Sequence, residues 1–307
     1  MTEPFKDRAQ GMGLDISMAY KGFYRYSDRY SEVIYRQFTT GMVFDDPNGE
    51  HETDGVEIPY LGVFIQPTDT VGFTYCGHVS NYYRFLGNDV LNQSIRNALS
   101  TIEQPIFSEV SHFSPRHERM RNEMIIQSPV SSQQLGDIYP LVVTHNGYNG
   151  TRAAAISFGI GTTGLVSPLF HFTFSLGQMR MVHIASMSTS LNIPINDYLK
   201  VFRETITETI ERSFSTQLNE DDFLKALELI EEIGGKRRSA SILSNLRSEV
   251  SSEDRLPSAW QMFVAIARYT TLEPNLNVKK MLENMAESVL IIPTRMQEVL
   301  SRLEQTT

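Results

Sequence analysis

The sequence predicts an α+β protein, with an N-terminal mostly antiparallel sheet and a helix, followed by a helical C-terminal third. Three observations carry this. Short runs of β-branched and aromatic residues, separated by turn signals, recur through the first two-thirds of the 307 residues. Within residues 139–160 two apolar runs, Leu141-Val142-Val143 and Ala153 to Phe158, flank Asn146-Gly147 and Asn149-Gly150. Those residues tolerate the positive φ of a tight reversal, so the stretch reads as a buried hairpin with His145, Asn146 and Arg152 at one end of a sheet. Beyond Pro194 the apolar spacing becomes helical.

In chain order, residues 1–15 are polar and read as a flexible arm. Residues 16–192 form the β-rich domain, and 193–307 form the helical region packed on it. Residues 33–38 read as a strand and the acidic run DDPNGEHETDG, residues 45–55, as a solvated loop. IPYLGVFIQ and VGFTYCGHV are strand-like runs separated by Pro67-Thr68-Asp69. Asn88 or Asp89 caps a helix to about Thr101, which Pro105 ends. Residues 106–110 and 123–127 read as strands around a polar connector, SHFSPRHERMRN, and one or two more strands fall in 165–184.

The helical third has clear punctuation. Asn196 caps a helix to about Thr216, with Tyr198, Phe202, Ile206, Ile210 and Phe214 on one face. Asn219 caps a helix over 221–233, which Gly234-Gly235 stops. Helices over 239–250, 258–271 and 278–303 follow, the last broken at Pro293.

Composition narrows the function. Hydrophobic residues make up 41% and charged residues 21%, enough to bury a core. The net charge of -9 argues against coating nucleic acid or membrane by global attraction, but leaves room for a local basic groove, because salt screens exposed charges. The single cysteine, Cys76, forms no internal disulfide and reads as a buried inert thiol in a reducing cytoplasm. No apolar run is long enough for a membrane span, and the N-terminal residues lack a signal-peptide core. Without such a signal, the acceptor motif Asn149-Gly150-Thr151 carries little weight.

Catalytic and cofactor motifs are weak. Gly159-Ile160-Gly161-Thr162-Thr163-Gly164 matches a dinucleotide fingerprint, but strand-like LVSPLFHFTF follows where the phosphate-binding helix should start. His112, His117, Glu109 and Glu118 fit no strong metal pattern, and His171 and His183 sit among apolar residues. No nucleophile elbow occurs. The reading is therefore no enzyme, no cofactor and no metal.

The informative signal is aromatic residues interleaved with cations. Aromatic rings stack on unstacked bases and arginines hold phosphates, the chemistry of single-stranded nucleic acid binding. Residues 20–36, 82–85 and 115–121 have this character, and Lys236-Arg237-Arg238 is a purely basic cluster. The candidates are Lys21, Tyr24, Arg25, Tyr26, Arg29, Tyr82, Tyr83, Arg84, Arg116, Arg119, Arg121 and Arg152. The competing reading is that the tyrosines pack on the sheet and the arginines pair with the many carboxylates.

Three blocks, TYCGHVSNYYRFLGNDVLNQSIRNAL, FSEVSHFSPRHERMRNEMIIQSPV and YPLVVTHNGYNGTRAAAISFGI, resemble a phage and plasmid family whose central domain carries only a domain-of-unknown-function label. The likeness spans roughly residues 55–215 and assigns no chemistry. The family's usual cysteine-asparagine-threonine segment after the hairpin is absent between Gly161 and Ser190. Within that family, length and aromatic, acidic character are similar to the Drc-type single-stranded-DNA-binding proteins of N-four-like short-tailed phages. The resemblance implies sequence-independent ssDNA binding linked to replication and middle transcription, in the cytoplasm of an infected bacterium. Single-stranded DNA, further copies of the chain, and phage RNA polymerase or replication proteins are the expected partners. The alternative is an interaction protein that recruits a host or phage polymerase through acidic helices such as residues 220–232, without touching DNA.

Overall fold

A computed structural model describes residues 23–39, 43–46, 49–52, 57–80, 83, 85–132, 136–162, 165–168, 179–181, 195–250 and 256–290. Residues 1–15, Lys21, Tyr82, Arg84, His171, His183 and Pro293 lie outside these.

The protein is α+β, with antiparallel sheets in its N-terminal part and helices in its C-terminal third. The first sheet has the order β1 (Phe23–Ser27), β2 (Ser31–Thr39), β5 (Glu57–Pro67), β6 (Thr74–Ser80). The acidic run expected to be a solvated loop instead contributes to a hairpin, β3 (Val43–Asp46) with β4 (Gly49–Glu52), inserted between β2 and β5. Val43 pairs with Glu52 and Phe44 with His51, so strand pairing forms there despite the charge of the run.

Helix α1 (Asn88–Thr101) leads to the second sheet. Its cap is Gly87, which makes no side-chain capping bond, rather than Asn88 or Asp89. Asn88 is diverted: its side chain is buried and accepts a 2.9 Å hydrogen bond from Asn146. The second sheet runs β12 (Leu165–Pro168), β11 (Ala154–Thr162), β10 (Gly136–Gly147), β8 (Arg119–Ile126), β7 (Ile106–Phe113). Short strands β9 (Val130–Ser132) and β13 (Met179–Met181) add to β10 and β11. The predicted hairpin is the centre of this sheet, with Tyr139 opposite Gly161 and His145 opposite Ala155. The connector between β7 and β8 shrinks to residues 114–118, because strand pairing continues through Ser111, His112, Arg121 and Asn122.

The helical third begins with α2 (Ile195–Val201), a π-helical segment (Phe202–Ile206) and α3 (Thr207–Ser215). Tyr198, Phe202, Ile206 and Ile210 are buried as the spacing predicts, whereas Phe214 is exposed. Asn219 caps α4 (Glu220–Glu249) by accepting from the Asp222 N–H at 2.8 Å. The predicted stop appears as a break at Gly235, whose φ of 71° and ψ of 168° interrupt the helix. Ser258 and Gln261 form a capping box on α5 (Ala259–Leu272), and α6 (Leu276–Leu290) follows.

Two apolar clusters hold these elements. The inner face of the first sheet buries Tyr26, Val33, Tyr35, Leu61, Val63, Ile65 and Val79 with Phe85 and Tyr148. A larger cluster joins α1 and strands β8, β10 and β11 to the C-terminal helices. Tyr198 is a link within it. Its ring stacks on Phe158 at 4.4 Å, while its hydroxyl accepts from the Leu141 N–H at 2.9 Å and donates to the Gly159 carbonyl. Removing that hydroxyl takes a hydrogen bond from each of two buried backbone groups, a loss of roughly 1–3 kcal/mol. Tyr198→Phe should therefore lower the urea midpoint by the equivalent of about 2 kcal/mol with an unchanged m-value.

Candidate nucleic-acid interface

Strand alternation gives the first sheet two different faces. In β5, Leu61, Val63 and Ile65 point into the core, so Tyr60, Gly62, Phe64 and Gln66 belong to the opposite face. Tyr60 is 45% exposed and Phe64 is half-buried. In β6, simple alternation would separate Tyr75 from His78. A bulge prevents this: Val63 pairs with Gly77 and Phe64 with Tyr75, leaving Cys76 as the extra residue. Gly77 adopts a φ of 131°, open to glycine and strained for other residues.

The bulge therefore puts Tyr75 and His78 on the same outward face. Tyr75 is 46% exposed and packs on Phe64 at 5.5 Å between ring centroids. Tyr60 meets His78 edge-on at 5.4 Å. Phe73 and Val71, in the β5–β6 loop, are exposed at one end. The result is a run of solvent-facing rings along β5 and β6. In backbone register, Arg25 pairs with Ile34, which pairs with Phe64, and Arg36 pairs with Gly62.

The structure separates the sequence-derived candidates. Tyr26 is a core residue, packed against Phe85 at 4.5 Å, and burial followed by Asp28 and Asp89 pushes its phenol far above its ordinary pKa. Tyr83 packs against the same cluster, donates to the Gly147 carbonyl at 2.8 Å, and is also pushed up by burial. Neither ring is placed to stack on a base. Arg121, proposed for a phosphate, is 1% exposed and held between Glu123 at 2.6 Å and Glu283 at 2.6 Å. Sequence reasoning placed it in a polar connector, but it belongs to β8, where α6 covers it. Arg29 is exposed but lies 3.6 Å from Asp89 and 3.7 Å from Glu109, with its guanidinium over the Tyr30 ring.

Three candidates keep accessible charge. Arg116 is exposed in the β7–β8 turn, beside β6, where its carbonyl lies 3.9 Å from the Cys76 sulfur. Arg119 bonds to Thr151 and Asn277, and Arg152 leaves the hairpin turn half-buried. Tyr24 and Arg25 lie in β1, with Tyr24 opposite the buried Tyr35. In the basic cluster, Arg238 is taken up by Glu273 at 2.7 Å, while Lys236 and Arg237 are exposed. Cys76 is half-buried rather than enclosed, and burial, then Glu118, pushes its thiol up to about 11, so it is not an activated nucleophile.

Sequence reasoning missed Tyr60, Phe64, Phe73, Tyr75 and His78. The alternation in YLGVFIQ could have found the first two. The placement of Tyr75 with His78 depends on the bulge, which sequence spacing alone does not announce.

In the second sheet a buried charge network ties β8 to α6. Lys279 lies 3.2 Å from Glu123, and His112 3.3 Å from the same carboxylate. Desolvation pushes Glu123 up, but His112, Arg121 and Lys279 outweigh it and hold its pKa well below the carboxylate range. His145, opposite Arg121 in β10, is pushed the other way. Burial first, then Arg152, Arg121 and Lys280, holds its pKa well below the usual histidine value, with Glu123 opposing.

Family models, curated proteins and solved structures yield no match to this chain.

Two outcomes follow for stability. Glu283→Ala strips Arg121 of one of its two carboxylates inside the protein and should cost about 3 kcal/mol in chemical denaturation. The unfolded chain protonates His145 near pH 6.5 and the folded protein only at lower pH, so the unfolded state binds more protons between the two values. This contribution is full above about pH 6.5 and is lost as pH falls toward the folded pKa, with a slope of at most ~1.4 kcal/mol per pH unit. His145→Gln should flatten the acid side of the stability profile, measured by urea unfolding across that range.

Proposed function

We propose that this protein binds single-stranded DNA without sequence preference, and that the outward face of β5 and β6 is its stacking surface. The supporting observation is the aromatic run of exposed Tyr60, Phe73, Tyr75 and His78 with half-buried Phe64, on a sheet whose other face is a packed core. A surface of this kind offers π-faces to any base, and unpaired bases offer theirs only when they are not stacked in a duplex. Arg116 beside β6 supplies a cation for the phosphate chain, and the register positions of Arg25 and Arg36 lie among the aromatic rows. The overall charge of -9 makes such contacts local, so affinity depends on stacking more than on long-range attraction. The family resemblance suggests phage replication and middle transcription as the setting. Binding, not turnover, is the proposed activity.

A second reading is favoured by α4. Glu220, Asp221, Glu228, Glu231 and Glu232 are exposed there, together with Leu224 and Leu229. That surface suits a basic protein partner such as a polymerase, and this reading expects no DNA affinity in the isolated chain.

Fluorescence anisotropy with labelled oligo(dT), in chelator and with unlabelled duplex as competitor, separates the two. Tight binding that resists duplex and weakens with salt is expected. Tyr60→Ala and Tyr75→Ala should each weaken it by about 1–3 kcal/mol, roughly five- to a hundredfold. Arg116→Gln should make the dependence of affinity on salt shallower by about one counterion. No binding at low salt would sink the ssDNA reading and leave the acidic helix.

A further inference from the structure

At the turn end of the β10–β11 hairpin, cations gather without matching carboxylates. Arg119 opens β8, and its guanidinium donates to the Thr151 hydroxyl at 3.3 Å and to the Asn277 side-chain carbonyl at 3.0 Å, both neutral acceptors. Arg152 sits just past the turn, so close that a Cβ on Gly147 would meet its own Cβ at 3.2 Å. Among the described residues, no ion pair joins Arg119 or Arg152 to a carboxylate. Arg152 is disfavoured as a cation first by burial and then by Arg121 and Arg119, against a weaker pull from Glu283.

His145 lies at the back of this group. It is 4% exposed, and neither ring nitrogen has a hydrogen-bond partner among the described residues. A buried imidazole without protein partners is costly, and such a group takes a water or an ion as its partner. The charged groups around it come from every neighbouring element: Arg121 and Glu123 from β8, Arg152 from the hairpin turn, and Lys280 from α6. Arg121 is already held by Glu123 and Glu283, so the guanidiniums left to meet an anion are those of Arg119 and Arg152.

We propose that Arg119, Arg152 and His145, with Thr151 and Asn277, form a binding site for a phosphate-type oxyanion. A tetrahedral oxyanion can accept from both guanidinium forks, whose planar geometry suits it, and from the imidazole N–H, while the Thr151 hydroxyl, which donates to Asn149 at 2.6 Å, helps to place Arg119. Its negative charge would relieve the repulsion between the arginines and give His145 the partner it lacks. The site is separate from the aromatic face and does not rest on DNA binding.

The test uses the full chain, with inorganic phosphate and sulfate compared with chloride at matched ionic strength. The His145 ring resonances, assigned through bonds in the wild-type protein, should shift saturably with phosphate and with sulfate, and the melting temperature should rise above that in chloride. Arg152→Gln and Arg119→Gln should each weaken phosphate at least tenfold. Arg152→Gln should not lower the melting temperature in chloride, because it removes a repelled cation. Unlabelled oligo(dT) without a terminal phosphate identifies the source: competition for the His145 shift assigns the site to the strand backbone, and no competition assigns it to free or terminal phosphate. The absence of a saturable His145 shift in the wild-type protein would overturn the proposal. So would Arg152→Gln losing stability in chloride while phosphate affinity stays unchanged.

Discussion

From Leu141 to Asn149 every residue of β10 and its turn is buried, and all the polar side chains there except His145 find partners within the protein. That constraint organises the rest of the molecule. Thr144 donates to Asn92 at 2.9 Å, and Asn146 donates to the Leu86 carbonyl at 2.7 Å and to Asn88 at 2.9 Å. These bonds fix α1 against one face of the strand. Tyr198 inserts its hydroxyl between β10 and β11, which anchors the first of the C-terminal helices. Tyr148, at the end of the same strand, donates to Asp28 at 3.1 Å, accepts from the Asn88 N–H at 3.1 Å, and stacks on Phe85 at 5.3 Å, which locks the first sheet in place. A single hairpin therefore sets the position of both sheets and of the helices between and after them.

The opposite face of the strand is closed by charge rather than by apolar packing. Arg121 and Glu123 of β8 meet Lys279 and Glu283 of α6, and all four are nearly inaccessible. Such a network contributes little net stability compared with an apolar replacement of the same shape, because desolvation offsets most of the attraction. Its consequence is orientation: removing one member leaves an uncompensated charge, so α6 tolerates only one register on the sheet. The same packing brings Asn277 to Arg119 and Lys280 near His145, so positive charge gathers locally at the hairpin turn in a protein of net negative charge.

The two faces of the first sheet show how a few backbone details redistribute aromatic chemistry. Tyrosines at Tyr26, Tyr35 and Tyr148 serve the core, with hydroxyls partnered or desolvated there. Those at Tyr60 and Tyr75 lie on the outward face, a little under half exposed. The difference is parity along the strand, and in β6 the parity is reset by the bulge at Cys76 and Gly77.

Much of the fold was legible in residue order. Asn149-Gly150, where Gly150 takes a φ of 71°, and the runs around it determined the β10–β11 hairpin, because local φ preference and alternation agree there, whereas Asn146-Gly147, read as part of the turn, continues β10. Asn219 and Ser258 determined helix starts, and Gly235 a break, because caps and glycine act within a few residues. What only the tertiary structure decided depends on partners far apart in the chain. Arg121 reads as a surface cation until Glu283, 162 residues away, is placed against it. Asn88 reads as a cap until Asn146 claims its side chain. The segment from Arg119 to Asn122 reads as a loop because charged residues are rarely buried, and it becomes part of β8 only when a helix brings opposite charges to cover it. Local propensities act over a few residues and are written in sequence order, whereas burial of charge and the choice of exposed face are decided by what packs on the other side.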